Sequence, residues 1–215
     1  MNAKYVCFDL ETIADRSILH HLPAVQPKGN LKDPAKIKED IAEKEKDRLA
    51  KLGLDPLTCM IAAFGWADFN GNSGHFLLKD ETHEAELELV ENAWELLSKY
   101  SRFVTFNGIN FDVPVLMMRS MRRHVRPAVK IDTKRYYIGN HVDLRMVLNN
   151  WNNMGAGTFD TYSKILLGKG KQEGIDGSMV QDFWDVGMRD EIGQYGERDA
   201  VDTMQLYELV KQYYL

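Results

Sequence analysis

The residues whose types and spacing suit chemistry are four acids and one phenol in three separated stretches of the 215-residue chain. Asp9 and Glu11 flank Leu10 where the apolar run Tyr5-Val6-Cys7-Phe8 ends, a run with the length and the β-branched and aromatic character of a buried strand. Strand side chains alternate faces, so the two carboxylates project to one side and Leu10 to the other. Like charges held that close raise each other's pKa, and a divalent cation removes the conflict. A capping or turn role at a strand end is the plainer use of such a pair. Asp112 follows Asn107-Gly108-Ile109-Asn110-Phe111 and precedes Val113-Pro114, where proline suits the first turn of a helix. Tyr195 and Asp199 are four apart in a helical stretch, so they stand one above the other on one face. A tyrosine at that spacing also serves core packing.

The elements that must position these groups can be read from periodicity. Arg102 to Phe106 is a short strand running into the Asn107–Pro114 junction, with a helix beyond it. Met60 to Phe69 and Gly74 to Leu78 read as two strands joined by Asn70-Gly71-Asn72-Ser73, a hairpin signal. Glu81 to Tyr100 carries apolar residues at helical spacing, acids early and Lys99 late. His141 to Leu148 reads as one helix, Thr158 to Leu167 as another ending at Gly168, and Arg189 to Tyr214 as a long last helix. Residues 13–58 form a polar connection. Its segment Asp33–Leu52 holds six acids and six bases, some paired at i,i+4, and reads as a solvated helix in an insertion. Seven basic residues against one acid between Arg119 and Arg135 make the clearest charge asymmetry, read either as a surface for an anionic partner or as a solvated face.

Composition excludes several classes. No stretch approaches the roughly 18 uninterrupted apolar residues of a membrane span, and no apolar leader opens the chain, so a soluble, cytoplasmic protein without membrane association is expected. Two cysteines in or before apparent strands do not make a disulfide framework or a thiolate zinc site. A net charge of −5 argues against a protein that coats nucleic acid nonspecifically. Gly168-Lys169-Gly170-Lys171 lacks the spaced glycine and the Ser/Thr of a phosphate-binding P-loop.

Taken together, Phe8-Asp9-Leu10-Glu11-Thr12, Asn107-Gly108-Ile109-Asn110-Phe111-Asp112-Val113-Pro114 and Tyr195-x-x-x-Asp199 resemble the three motifs of the DEDD superfamily of 3′-5′ exonucleases. Gln194 stands where the histidine subgroup has its histidine, so the chain resembles the tyrosine subgroup, and most closely the stand-alone predicted exonucleases related to the proofreading domain of family B DNA polymerases. The resemblance implies an α/β, ribonuclease H-like fold, a mixed central sheet flanked by helices, over residues 1–215 as a single exonuclease domain with the 13–58 insertion. It implies catalysis by Asp9, Glu11, Asp112, Tyr195 and Asp199, with the four acids holding two Mg2+ or Mn2+ ions. Such ions prefer carboxylate oxygen, and a pair about 3.5–4 Å apart compensates charge on both the attacking and leaving oxygens of a phosphodiester.

By the same resemblance Leu10 and Thr12 contact the terminal nucleotide, Phe111 offers a π-face to an unpaired base, Asn107 reaches base or sugar, and Lys171 lies near the site. Core packing is the rival role for Phe111, and turn formation for Asn107. Asp143 and Asp202 are read as structural or solvated. The expected partner is nucleic acid with a 3′ end, single-stranded DNA favoured. The alternatives are an RNA exonuclease of the same fold, since no motif reads the 2′-OH, and a nucleic-acid-binding module without catalysis.

Overall fold

A computed structural model describes residues 4–152, 157–169 and 177–215. The apolar run from Tyr5 opens β1 (Tyr5–Ala14), a strand longer than that run suggests, so Asp9 and Glu11 lie inside the strand rather than at its end. Ile13 and Ala14 pair with Met60 and Cys59, and the polar connection begins only at Asp15. In that connection a short 3-10 turn (Arg16–His21) precedes α1 (Pro34–Leu52), which Asp33 caps and which buries only Asp40, as its balanced charges imply.

The hairpin of β2 (Cys59–Asp68) and β3 (Ser73–Leu77) turns at Gly71, whose φ of 83° fits the Asn-Gly signal. Then come α2 (His83–Leu97), β4 (Arg102–Thr105), α3 (Asp112–Arg123), β5 (His141–Asp143) and α4 (Leu144–Leu148). After them α5 (Phe159–Tyr162) continues into a π-turn to Leu167, followed by α6 (Val180–Asp185) and α7 (Arg189–Tyr213). The strands form one mixed sheet in the order β3-β2-β1-β4-β5, antiparallel across β3, β2 and β1 and parallel across β1, β4 and β5. This is the α/β, ribonuclease H-like sheet that the motifs imply. One element differs from its sequence reading: His141–Asp143 is a strand, with the helix starting only at Leu144. Three residues are too few to reveal a period, and β5 is defined by its parallel pairing with β4.

Successive residues of β1 enter two different apolar clusters. Val6, Phe8 and Leu10 pack with residues of α2 and α3, whereas Tyr5 and Cys7 pack with Val104, Val142 and the α7 residues Leu206, Tyr207 and Val210. Alternation along β1 therefore directs Asp9 and Glu11 to the α7 face.

The basic stretch is corrected by the fold. Arg119 is fully buried, bound to Glu86 at 2.5 Å and to Asp15 at 2.9 Å; Arg123 also pairs with Glu86, and Arg122 with Asp15 at 3.2 Å. Arg119 and Arg123 are thus buried ties between α2, α3 and the end of β1 rather than surface charges, while Arg122 stays one-third exposed beside Asp15. Sequence shows the charges but not the acids folded against them.

Candidate active site

The approach of α7 to the sheet begins with small residues. Asp9 stands opposite Gly65 and Glu11 opposite Ala63 on β2, so these pairs share a face. Gly65 and Ala63 leave a trough into which α7 sinks. A Cβ on Gly65 would lie 2.1 Å from the Gly196 carbonyl oxygen, and one on Gly196 would lie 3.3 Å from Glu11 Cγ. At Gly65 only hydrogen permits this contact, whereas at Gly196 a methyl would be tight against the Glu11 side chain. The β1–β2 register also shifts between Glu11 and Thr12, a bulge of the kind that re-aims side chains beside active sites.

At this crossing the carboxylates of Asp9, Glu11 and Asp199 offer ligand oxygens that all lie within 4.8 Å of one another. Glu11 is buried, and Asp9 and Asp199 are half-buried. Tyr195, one turn before Asp199, is buried and hydrogen-bonds the Asp199 carboxylate. Burial first, then the charges of Asp199, Glu11 and Asp9, push its phenol well above the usual tyrosine value. The phenol therefore stays protonated and acts as a hydrogen-bond donor. The same shift reports a concentrated negative field. Three hard oxygen donors converging in that field, with no cysteine or histidine among them, form a donor set suited to Mg2+ or Mn2+.

Asp112 reaches the site from the other edge of β1. Because β4 stops at Thr105, the Leu10 N–H falls beyond the β1–β4 ladder, and it donates to Asp112 Oδ1 at 2.9 Å. Asp112 is 3% exposed, and its carboxyl is pushed up to about 7, chiefly by burial and further by Asp143, against the Leu10 amide that stabilises the charge. It is not one of the three converging acids. Its backbone position is set twice. Asp143 accepts the Asn107 and Ile109 N–H groups at 2.9 Å each, fixing the preceding loop, while Arg119, two turns along α3, is anchored to Asp15 at the end of β1.

The expected nucleotide contacts are dispersed. Leu10 is buried in the core on the α2–α3 side. The Thr12 hydroxyl donates to the Gly53 carbonyl at the end of α1, at 2.6 Å. Asn107, with φ of 70°, accepts through Oδ1 from Asn110 and from Arg145 at 3.0 Å. Phe111 packs half-buried against the main core. Lys171 lies outside the described residues. Asp143 caps α4 through the Met146 N–H and is structural, as expected. Burial raises the carboxyl pKa of Asp202, against Lys169 and Arg198, which lower it.

Sequence reasoning missed Gly65, Gly196 and the loop-holding part of Asp143. The period-two run of small residues Ala63, Gly65 and Ala67 was the available signal for a close helix crossing.

Comparison with known proteins follows the same lines. Residues 57–213 match the family model described as a predicted 3′-5′ exonuclease related to the exonuclease domain of PolB. DNA polymerase 1 of Sulfurisphaera ohwakuensis is 27% identical over 139 residues, 59% of this chain and 15% of that protein. DNA polymerase 1 of Saccharolobus solfataricus is 29% identical over 140 residues, again 59% and 15%. The chain thus aligns with a small part of these relatives. In three dimensions it resembles the family B DNA polymerase from the hyperthermophilic archaeon Pyrobaculum calidifontis, with a TM-score of 0.62 and 15% identity, over 98% of this chain and 25% of that one. Among the described residues no helix is long and apolar enough to cross a membrane.

Proposed function

Because the chain belongs to the family of predicted 3′-5′ exonucleases related to the exonuclease domain of PolB, we propose that it hydrolyses the 3′-terminal phosphodiester of nucleic acid, above all single-stranded DNA. Asp9, Glu11, Asp112 and Asp199 would hold two divalent cations, Mg2+ or Mn2+. The observation that carries this reading is the convergence of Asp9, Glu11 and Asp199 within 4.8 Å beside a protonated tyrosine.

When bound, the ions supply Lewis-acid activation of water and charge compensation at the leaving oxygen. Asp9, Glu11 and Asp199, whose oxygens converge, would hold the ion that activates the attacking water, and Asp112, held on the Leu10 amide, would support the second. Tyr195, beside Asp199, would orient the attacking water by donating a hydrogen bond. The rigid helix–strand crossing supplies positioning, which in such sites matters at the level of about 1 Å. Thr12 at the bulge and Asn107 and Phe111 on the Asp143-held loop are the edges offered to the terminal nucleotide, with Leu10 behind them and Lys171 as a further contact. DNA is favoured over RNA because the relatives with sequence similarity are DNA polymerases. No contact specific to a 2′-OH distinguishes the two.

The test is release of mononucleotides from 3′-labelled single-stranded DNA and RNA with Mg2+ or Mn2+, beside Asp112→Ala. The reading expects metal-dependent release from DNA, lost in the variant. Equal binding of the nucleic acid by both proteins with no degradation by either would establish the non-catalytic binding module instead. Release from RNA alone would transfer the activity to RNA.

A further inference from the structure

Beyond the carboxylate site, a surface groove of about 440 Å³ lies past the β5 edge, between the segment before β5 and the residues after α4, with Tyr136, Ile138, Leu148, Trp151 and Tyr214 among its walls. Its aromatics are displayed rather than buried: Tyr136 is 72% exposed, Tyr137 beside it 50% and Tyr214 60%. The display is held at a conformational cost. Tyr136 and Trp151, whose rings lie 5.6 Å apart, both have left-handed backbone, with φ of 60° and 61°. Large residues adopt that region rarely and under strain. Cations accompany the rings, Lys134 above Tyr137 and Arg135 above Tyr136, each 5.5 Å from the ring centre. Among the described residues that line the groove no side chain is charged, so its cations are those held over the rings.

The helix that walls the groove also reaches the loop before Asp112. Arg145 in the first turn of α4 donates to Asn107 on the loop that precedes Asp112, and the residues following the same five-residue helix form the groove wall. At about 1.5 Å per residue, less than 10 Å of helix separates Arg145 from that wall.

We propose that this groove binds the single strand upstream of the 3′ end, stacking bases on Tyr136, Tyr137 and Trp151 while Lys134, Arg135 and Arg145 meet its phosphates. Aromatic faces interleaved with cations are the chemistry of sequence-tolerant single-strand binding. Lys134 and Arg135, each held over a ring beside the groove, give a protein of net charge −5 a local positive face, which favours an anionic, base-bearing chain. The inference rests on the exonuclease reading for its substrate. It adds a footing that a dinucleotide cannot reach and a longer strand can.

The experiment compares wild type with Tyr136→Ala and with Arg135→Gln, both at exposed positions, on a dinucleotide and on a DNA strand of about 16 nucleotides, the upper end of common single-strand sites. The expected result is a KM for the long strand raised between about 5-fold and 100-fold by Tyr136→Ala, the range set by loss of one base stack, with kcat and the dinucleotide constants unchanged. Arg135→Gln should raise the same KM and flatten its salt dependence. A groove that serves a protein partner or a second copy would leave the long-strand KM unchanged, and that result overturns the proposal, as does an equal effect on the dinucleotide. Should the wild type release no nucleotide, the exonuclease reading fails, and fluorescence anisotropy of the labelled strand in EDTA decides the groove separately. Weaker binding by Tyr136→Ala then supports it, and equal affinity overturns it.

Discussion

Substituting Gly65 by alanine tests the crossing on which the candidate site depends. The added methyl would sit 2.1 Å from the Gly196 carbonyl oxygen and 2.6 Å from the Glu197 amide nitrogen, both backbone atoms of α7 that no rotamer change can move. Ordinary contact begins near 3.4 Å, so the helix must withdraw by the difference, 3.4 − 2.1, or about 1.3 Å. Alanine in a strand is otherwise favoured over glycine by roughly 0.5–1 kcal/mol, and overpacking typically costs about 1–3 kcal/mol. The clash therefore decides the sign. With a clash this close the cost sits at the top of the overpacking range, about 2 kcal/mol net of the alanine preference, and at about 2–4 °C of Tm per kcal/mol in a chain of this length a fall of about 4–8 °C is expected by scanning calorimetry. The larger effect should be chemical. Withdrawal of α7 takes Tyr195 and Asp199 away from Asp9 and Glu11, and a misplacement of about 1 Å can cost on the order of 100-fold in rate. Nucleotide release should drop accordingly, and Mn2+ should raise Tm less than in the wild type. Gly196→Ala, which meets the movable Glu11 side chain at 3.3 Å, should be milder in every readout. A Gly65→Ala protein with wild-type Tm, wild-type Mn2+ response and wild-type rate would refute the reasoning.

Other substitutions separate positioning from chemistry and from stability. Tyr195→Phe removes the donor next to Asp199 and should lower kcat by about 10- to 100-fold while keeping the Mn2+-induced rise in Tm, since no ligand oxygen is lost; steady-state rates beside thermal shifts check this. Arg119→Met leaves Glu86 and Asp15 buried without their main partner and should cost about 3–5 kcal/mol in urea unfolding; a cost under 1 kcal/mol would show that the network is not a stabilising tie. Asp112 gives a pH signature in EDTA. Its carboxyl is pushed up to about 7 from 3.8, so the folded state binds a proton that the unfolded state has released between those values. Its contribution to stability is complete below about pH 4 and is lost as pH rises to about 7. The Tm advantage of Asp112→Asn over wild type should therefore grow across that window and stay level above it; a gap independent of pH would contradict the buried placement.

The legible parts of the fold were those with local signals. The alternation of β1 gave the shared face of Asp9 and Glu11, the Asn-Gly step gave the β2–β3 turn, and Tyr195 and Asp199 gave their mutual spacing on α7. The parts that escaped depend on distant partners. β5 exists because β4 lies beside it. Arg119 read as a surface charge because nothing in its neighbourhood in sequence indicates that Glu86, 33 residues earlier, and Asp15, 104 residues earlier, close around it. Gly65 acquires its meaning from Gly196, at the other end of the family match. Asp112 was readable as an acid at a helix start, but its hold on the Leu10 amide follows from β4 ending before it can pair that far along β1.

The central claim is that Asp9, Glu11 and Asp199 converge to hold divalent cations, and calorimetric titration of Mn2+ into the protein tests it most directly. The account predicts saturable binding at two sites, abolished or strongly weakened by Asp9→Asn, with the variant still folded by circular dichroism. No measurable binding to the wild type, or an identical isotherm for Asp9→Asn, would contradict it.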